Sequence, residues 1–113
     1  LARIQDSQDQ LVDSNDIESA EYSIYLLDVS DPDSATPVTE HDQASLTVTD
    51  VVLDAPVVDS FWEFDTTGYN FRHRIDVTTN AAFSLSHRHY RIEYVLTPYY
   101  GNPIRLRFRV FTI

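Results

Sequence analysis

The sequence contains no cysteine, no methionine and no lysine, and only two of its 113 residues are glycine. Without cysteine the chain has no disulfide and no thiolate metal ligands, so packing and hydrogen bonds must stabilise the fold. Gly68 and Gly101 stand 33 positions apart, which excludes a glycine-rich loop around a phosphate. Neither glycine adjoins a serine, so the nucleophile elbow of serine hydrolases is absent too. The longest apolar runs are a few residues, too short for a membrane span.

Basic charge is scarce and unevenly placed along the chain. The eight basic residues are all arginine, against 18 acidic ones, and the net charge of −10 argues against binding to nucleic acid or anionic lipid. Residues 1–65 carry a net charge of −15, whereas residues 66–113 carry +5. Either the two halves are neighbouring strands that neutralise each other, or the basic half meets an acidic partner such as another copy.

The apolar content is sufficient for one folded domain. Hydrophobic residues make up 42% of the chain and aromatic residues 12%, so we expect a single domain over residues 1–113. The chain begins at Leu1 without a charged-then-apolar leader, so we expect a processed chain or an excerpt of a longer protein.

Alternation of apolar and polar residues with a period of two dominates the chain and predicts strands. The pattern is clearest at residues 69–75, 90–96 and 104–110, and it also runs through residues 17–28. Weaker strand predictions cover residues 3–6, 44–48 and 60–64. Residues 51–53 are predicted as one helical turn, capped by Thr49 or Asp50 and ended by Pro56.

Turn residues separate these segments. Proline, glycine and aspartate predict a polar loop at residues 31–37, a turn at residues 65–68 and a hairpin loop at residues 98–103. About seven strands in a chain of this length predict an all-β fold, an immunoglobulin-like antiparallel β-sandwich.

The arginines near the C terminus are the most unusual feature of the sequence. Arg105, Arg107 and Arg109 alternate with apolar residues, and a hairpin with residues 90–96 would add Arg91 and Glu93 to the same face. Like charges facing each other across strands destabilise a sheet, so a source of negative charge is expected. Arginine pairs with carboxylates and stacks on aromatic rings.

We therefore predict a binding surface of four arginines with two tyrosines of the hairpin loop at its margin: Arg91, Arg105, Arg107, Arg109, Tyr99 and Tyr100. Nucleic acid is the competing partner, because bases could stack on the tyrosines. The net charge of the chain argues against it.

Two histidines and an acidic run are the candidate metal ligands. His87 and His89 would share a face of an extended chain, with His41, His73 or an aspartate as a third ligand. No recognisable spacing supplies that ligand, so an exposed loop is the favoured interpretation and no metal is predicted. Residues 28–33 are rich in aspartate, but Pro32 and the lack of a glycine favour a solvated loop over a calcium site.

Several aromatic residues have a structural interpretation. Tyr90, Ile92 and Tyr94 are typical of the penultimate strand of an immunoglobulin-like sandwich. Trp62 is predicted to belong to the core, and the alternative is an exposed platform for sugars formed by Trp62, Tyr99 or Tyr100.

Three stretches resemble a known group of proteins. They are Ala2-Arg3-Ile4 with residues 16–25 (DIESAEYSIY), residues 46–54 (LTVTDVVLD), and residues 65–73 (DTTGYNFRH) followed by residues 90–94 (YRIEY). Together they are similar to small, uncharacterised immunoglobulin-like β-sandwich proteins associated with phage or prophage structural gene clusters, including sets in marine bacteria. The resemblance implies an accessory domain of a virion, tail or secreted assembly without enzymatic activity. It assigns no functional residues, and the last strand here, IRLRFRV, departs from the mostly apolar last strand of that group.

These observations lead to one principal prediction of function. We expect a non-enzymatic structural or binding module, a subunit or accessory domain of a larger phage-like or cell-surface assembly. Its expected partner is protein, foremost a second copy, with no cofactor, nucleic acid or membrane partner, and its expected location is virion-associated or extracellular. A carbohydrate-binding module is the alternative, and a metal-dependent enzyme around His87 and His89 has the least support.

Overall fold

The computed structural model describes residues 1–6, 8–28 and 30–113, and at Pro32 the backbone alone. Within these residues the chain forms seven strands: β1 (Ile17–Asp28), β2 (Asp31–Pro37), β3 (Ala44–Leu46), β4 (Val52–Val57), β5 (Tyr69–Phe71), β6 (His89–Pro98) and β7 (Ile104–Phe111). One helical turn, α1 (Val48–Val51), precedes β4, and a 3₁₀ turn (Ser14–Asp16) precedes β1. The strands form two antiparallel sheets, which confirms the predicted all-β, sandwich-like fold.

The larger sheet has the order β2-β1-β6-β7, and β3 pairs with β1 alongside β2. In its centre Tyr22 of β1 lies opposite Tyr94 of β6, which in turn lies opposite Leu106 of β7. Successive side chains of a strand point to opposite faces. The even-numbered residues of β6 from Tyr90 to Leu96 are accordingly buried, and the odd-numbered residues from His89 to Val95 lie on the outer face.

The smaller sheet, β4 and β5, covers the inner face of the larger one. Phe71 of β5 packs edge-to-face on Tyr94 at 4.9 Å between ring centres, and Tyr94 packs in the same manner on Phe108 of β7 at 5.8 Å. Val51 and Val52 are buried in the same core. Because the core lies between the layers, the outer face of the larger sheet points away from the smaller sheet.

The N-terminal segment is attached to β5 by backbone hydrogen bonds between Ala2 and Phe71 and by one buried side chain, Asn70. Its Nδ2 donates to the carbonyl oxygens of Ile4 (2.9 Å) and Val12 (2.7 Å), and its Oδ1 accepts from the amide of Ile4 (2.6 Å). The prediction of a strand at residues 3–6 is wrong, because this segment forms only an isolated bridge at Gln5, with another at the preceding Ala2. The side chain of Asn70 thus supplies hydrogen bonds to backbone groups of a segment that has no continuous strand pairing.

The strand predictions for residues 17–28, 90–96 and 104–110 are confirmed. β1 has the predicted bounds, and β6 and β7 extend one or two residues beyond theirs. Gly68 ends the predicted turn at residues 65–68 with a positive φ of 98°, and a Cβ atom there would collide with the carbonyl oxygen of Val57. No helix among the described residues is long and apolar enough to cross a membrane.

Two predictions for polar or mixed segments are wrong. Residues 31–37 form β2 instead of a loop, because the end of β1 offers a free edge and an edge strand tolerates proline. Residues 60–64 form a turn-rich loop instead of a strand. Asp59 and Asp65 accept backbone amides of Phe61, Thr67 and Gly68, which bends the chain at both ends of this segment.

Two predicted boundaries are also wrong. The helical turn lies at Val48–Val51, three residues before the predicted position, and Thr47 precedes it without a side-chain cap. Pro56 lies within β4 and ends no helix.

β5 stops at Phe71 although alternation continues to residue 75, because the backbone it pairs with becomes helical before Val52.

Candidate functional site

The four arginines predicted to share a face do so. In the register of β6 and β7, Arg107 lies opposite Glu93, Arg109 opposite Arg91, and Arg105 opposite Val95. All are odd-numbered residues of the two strands, so they project from the outer face of the larger sheet. We call Arg91, Arg105, Arg107 and Arg109 the arginine face.

Glu93 holds the middle of the arginine face. Its carboxylate forms ion pairs with three arginines: with Nη1 of Arg105 at 3.2 Å, Nε of Arg107 at 3.4 Å and Nε of Arg91 at 3.7 Å. The Glu93 side chain is only 13% exposed, whereas those of Arg105 and Arg107 are 56% and 62% exposed. The glutamate is thus enclosed by its partners, while the arginines remain open to solvent.

Arg91 is held from a second direction. Its guanidinium carbon lies 4.9 Å from the ring centre of Tyr25 on β1, a cation–π contact. The Nε atom is buried without a hydrogen-bond partner, and like-charged Arg109 lies directly opposite. Among the described residues Arg109 makes no ion pair, so the face carries more positive than negative charge.

The acidic first half of the chain does not neutralise the arginine face directly. Strands β1 and β6 are neighbours, as required by the hypothesis that the acidic and basic halves neutralise each other within one sheet. In the part of the chain that the structure describes, however, no ion pair joins residues 1–65 to residues 66–113. Arg3 pairs with Asp65 in its own half, and the other pairs all involve Glu93.

Tyr99 and Tyr100 lie at the loop between β6 and β7, at the Arg105 end of the arginine face. They are 59% and 94% exposed. They also line a cleft of about 700 Å³ whose strand residues include Ile17 and Ile104. Ile104 lies opposite the buried Leu96, so the cleft opens on the core side of the hairpin.

Trp62 lies outside the core cluster, contrary to prediction. It is half-buried in the loop between β4 and β5, where it packs on Tyr69 at 5.8 Å and on Phe64 at 6.0 Å. Its Nε1–H donates to Asp65 at 3.1 Å. This hydrogen bond, with those from Gly68 and Arg3, holds the pKa of the Asp65 carboxyl far below its ordinary value.

The histidines do not come together as the ligands of one metal site. His87 has a φ of 57°, so the extended geometry that would place it and His89 on one face does not apply. His89 packs on Phe111, whereas His41 bonds to Tyr22 and His73 to Tyr94 in the interior. Within the described residues no three histidine or acidic side chains are grouped to hold a metal ion.

The carboxylates of the acidic run organise turns. Asp28 accepts both the amide and the hydroxyl of Ser30, which lowers the pKa of its carboxyl. Asp31 accepts the amide of Asp33. Val29, in the same run, lies outside the described residues.

The structure also brings together residues that sequence reasoning missed. Phe61 and Phe64 are 77% and 82% exposed in the loop between β4 and β5, beside Asp59 and Glu63. The turn-forming aspartates at both ends of the segment were a usable signal for a loop. The polar residues of the cleft come from distant segments, and nothing in the sequence connects them.

The chain was compared with protein-family models, curated proteins and solved structures, and none of the three comparisons found a match.

Proposed function

We propose that this domain is a non-enzymatic structural or binding module that assembles with other copies of itself through the arginine face. The observation that carries the proposal is the charge on that face. Four arginines share that face with a single carboxylate, Glu93, which pairs with three of them and leaves Arg109 without an ion pair among the described residues. Such crowding costs stability in the isolated domain and is relieved when external carboxylates approach.

A protein surface fits this face better than a nucleic acid does. A net charge of −10 repels a polyanion at long range, and the four arginines of the face are too few to offset that repulsion. A protein partner presents separate carboxylates and aromatic rings, and arginine pairs with the former and stacks on the latter. Arg91 already makes such a stacking contact with Tyr25.

The loop between β4 and β5 offers the complementary surface on a second copy. It presents Phe61 and Phe64 to solvent together with Asp59 and Glu63. We call Asp59, Phe61, Glu63 and Phe64 the acidic aromatic loop. Exposed phenylalanines bury apolar area when a partner covers them, and flanking carboxylates select a cationic partner.

The placement of the two surfaces determines the geometry of assembly. The acidic aromatic loop belongs to the layer of the smaller sheet, whereas the arginine face points away from that layer. A surface on one side that binds a different surface on the other gives head-to-tail contacts. Such contacts close into rings or continue as open chains, as expected of a repeated subunit.

The larger assembly that we propose is phage-like or located at a cell surface, following the sequence resemblance. The genes beside this one test that part. Capsid, portal or tail genes would support it, and genes for polysaccharide-degrading enzymes would contradict it.

Charge reversal tests the arginine face. Arg107→Glu replaces an attraction with a repulsion, so self-association measured by sedimentation should weaken about tenfold at roughly 50 mM salt and less at about 1 M. Arg74→Glu is the matched control, because it makes the same charge change at an exposed arginine off this face. A wild-type protein that is monomeric at every concentration would contradict self-association.

A further inference from the structure

The cleft beside the β6–β7 loop has the composition of a small-ligand site. Its volume, about 700 Å³, lies within the range of roughly 300–1,000 Å³ that is usual for such sites. Val12, Ile17 and Ile104 contribute apolar surface. Two tyrosines and several carboxylate and amide side chains line the rest, and no arginine or histidine does.

The two tyrosines of the cleft are presented by a fixed loop. The amide of Tyr99 donates to the carbonyl oxygen of Asp16 at 3.1 Å, which attaches the loop to the segment before β1. Gly101 takes a φ of 97° to turn the chain, and a Cβ atom there would meet nothing within 4 Å. Tyr100 is almost fully exposed, so its ring is accessible to a ligand.

The facing wall is ordered as well. Asp13 and Asp16 form a reciprocal capping box around the 3₁₀ turn, which positions Asn15 and Asp16. Asp6 accepts the amides of Gln8 and Gln10 and so stabilises the N-terminal turn. A site whose walls are held by hydrogen bonds loses little conformational entropy on binding.

From these observations we propose that the cleft is a binding site for a neutral oligosaccharide. Tyrosine rings present an apolar face with a polar hydroxyl, which matches the apolar ring face and hydroxyl groups of a sugar. Asn15 and Asn102 offer amides that donate and accept hydrogen bonds, and Asp16 offers an acceptor. The carboxylates and the absence of cationic residues at the cleft disfavour an anionic ligand. This site is independent of assembly through the arginine face.

Native electrophoresis through gels that contain a soluble neutral polysaccharide tests this site. The panel comprises a mixed-linkage β-glucan, a xylan, a galactomannan and soluble starch. We expect at least one of them to retard the wild-type protein, and Tyr100→Ala to weaken that retardation about tenfold because a stacking surface is lost. Tyr100 is exposed, so its replacement leaves the fold intact. Asn102→Ala should weaken retardation in the same gel by removing an amide.

Two control variants separate this site from other surfaces. Phe64→Ala removes an exposed aromatic ring outside the cleft, and Arg107→Glu disables the arginine face. Both should keep wild-type retardation. Retardation lost in Phe64→Ala but kept in Tyr100→Ala would overturn the proposal, as would a wild-type protein that none of the four polysaccharides retards.

Discussion

At the scale of single residues, the interior of the sandwich contains titratable side chains whose roles are structural. His73 lies against Tyr22 of β1 at 4.8 Å and against Tyr94 of β6 at 5.4 Å between ring centres. Burial lowers the pKa of His73 below its ordinary value of 6.5, and His41 adds to that effect. Burial likewise raises the pKa of the Tyr94 hydroxyl well above its ordinary value.

The lowered pKa of His73 predicts a pH dependence of stability. The unfolded chain binds the proton at this histidine more tightly than the folded protein does. The contribution of His73 to the free energy of unfolding is therefore constant well above pH 6.5 and falls as the pH drops through that value. His73→Gln removes the titrating group, so its melting temperature should fall less between about pH 8 and about pH 5.5. His87→Gln, at an exposed position, is the control and should behave as the wild type.

At the scale of elements, the N-terminal segment depends on β5 for its position. Asn70→Ala would remove three hydrogen bonds to Ile4 and Val12 and leave their backbone groups unsatisfied. We expect the free energy of unfolding to fall by about 2–4 kcal/mol in chemical denaturation. The amide of Ile4 should also lose its protection from hydrogen exchange.

Asn102→Ala is the control for this variant, because Asn102 lies exposed in the β6–β7 loop. It should leave stability nearly unchanged. An Asn70→Ala protein with wild-type stability and a protected Ile4 amide would contradict the role assigned to Asn70.

The same elements explain how far the sequence could predict the structure. β6 and β7 were predictable because their alternation separates a core face from an outer face. β1 was predictable from a less regular alternation along its 12 residues. β2 was not, because it is an edge strand of small and polar residues formed only when β1 offers it a partner. The role of Asn70 depends on contacts 58 and 66 residues away, and local patterns carry no such information.

The candidate sites likewise differ in whether a local sequence pattern could predict them. The arginine face follows from the alternation of two adjacent strands, so its four members and Glu93 were predictable together. The 60–64 segment was assigned to a strand because of its aromatic residues, although the aspartates that bend the chain at both of its ends were a usable signal for a loop. The cleft combines residues from both ends of the chain and needed the tertiary structure.

At the scale of the whole molecule, basic and acidic groups lie on opposite sides of the sandwich. The arginine face points outward from the larger sheet, and the acidic aromatic loop belongs to the opposite layer. The net charge of −10 therefore describes a molecule with one basic side, not a uniformly acidic surface. Copies that stack with opposite sides in contact bring arginines to carboxylates and aromatic rings at each junction.

Mixing two complementary variants tests head-to-tail assembly most directly. Arg107→Glu disables the arginine face, and Phe64→Arg disables the acidic aromatic loop by placing a cation where arginines must approach. Phe64 is 82% exposed, so its replacement leaves the core intact. Each variant alone keeps one working surface, so at a protein concentration near the dissociation constant of the wild type it should sediment almost entirely as a monomer.

The equimolar mixture of the two variants contains one working surface of each kind. Sedimentation should therefore detect a dimer with one copy of each variant, and no larger species. A mixture that remains monomeric while the wild type associates, or a Phe64→Arg protein that associates as the wild type does, would contradict head-to-tail assembly through these two surfaces.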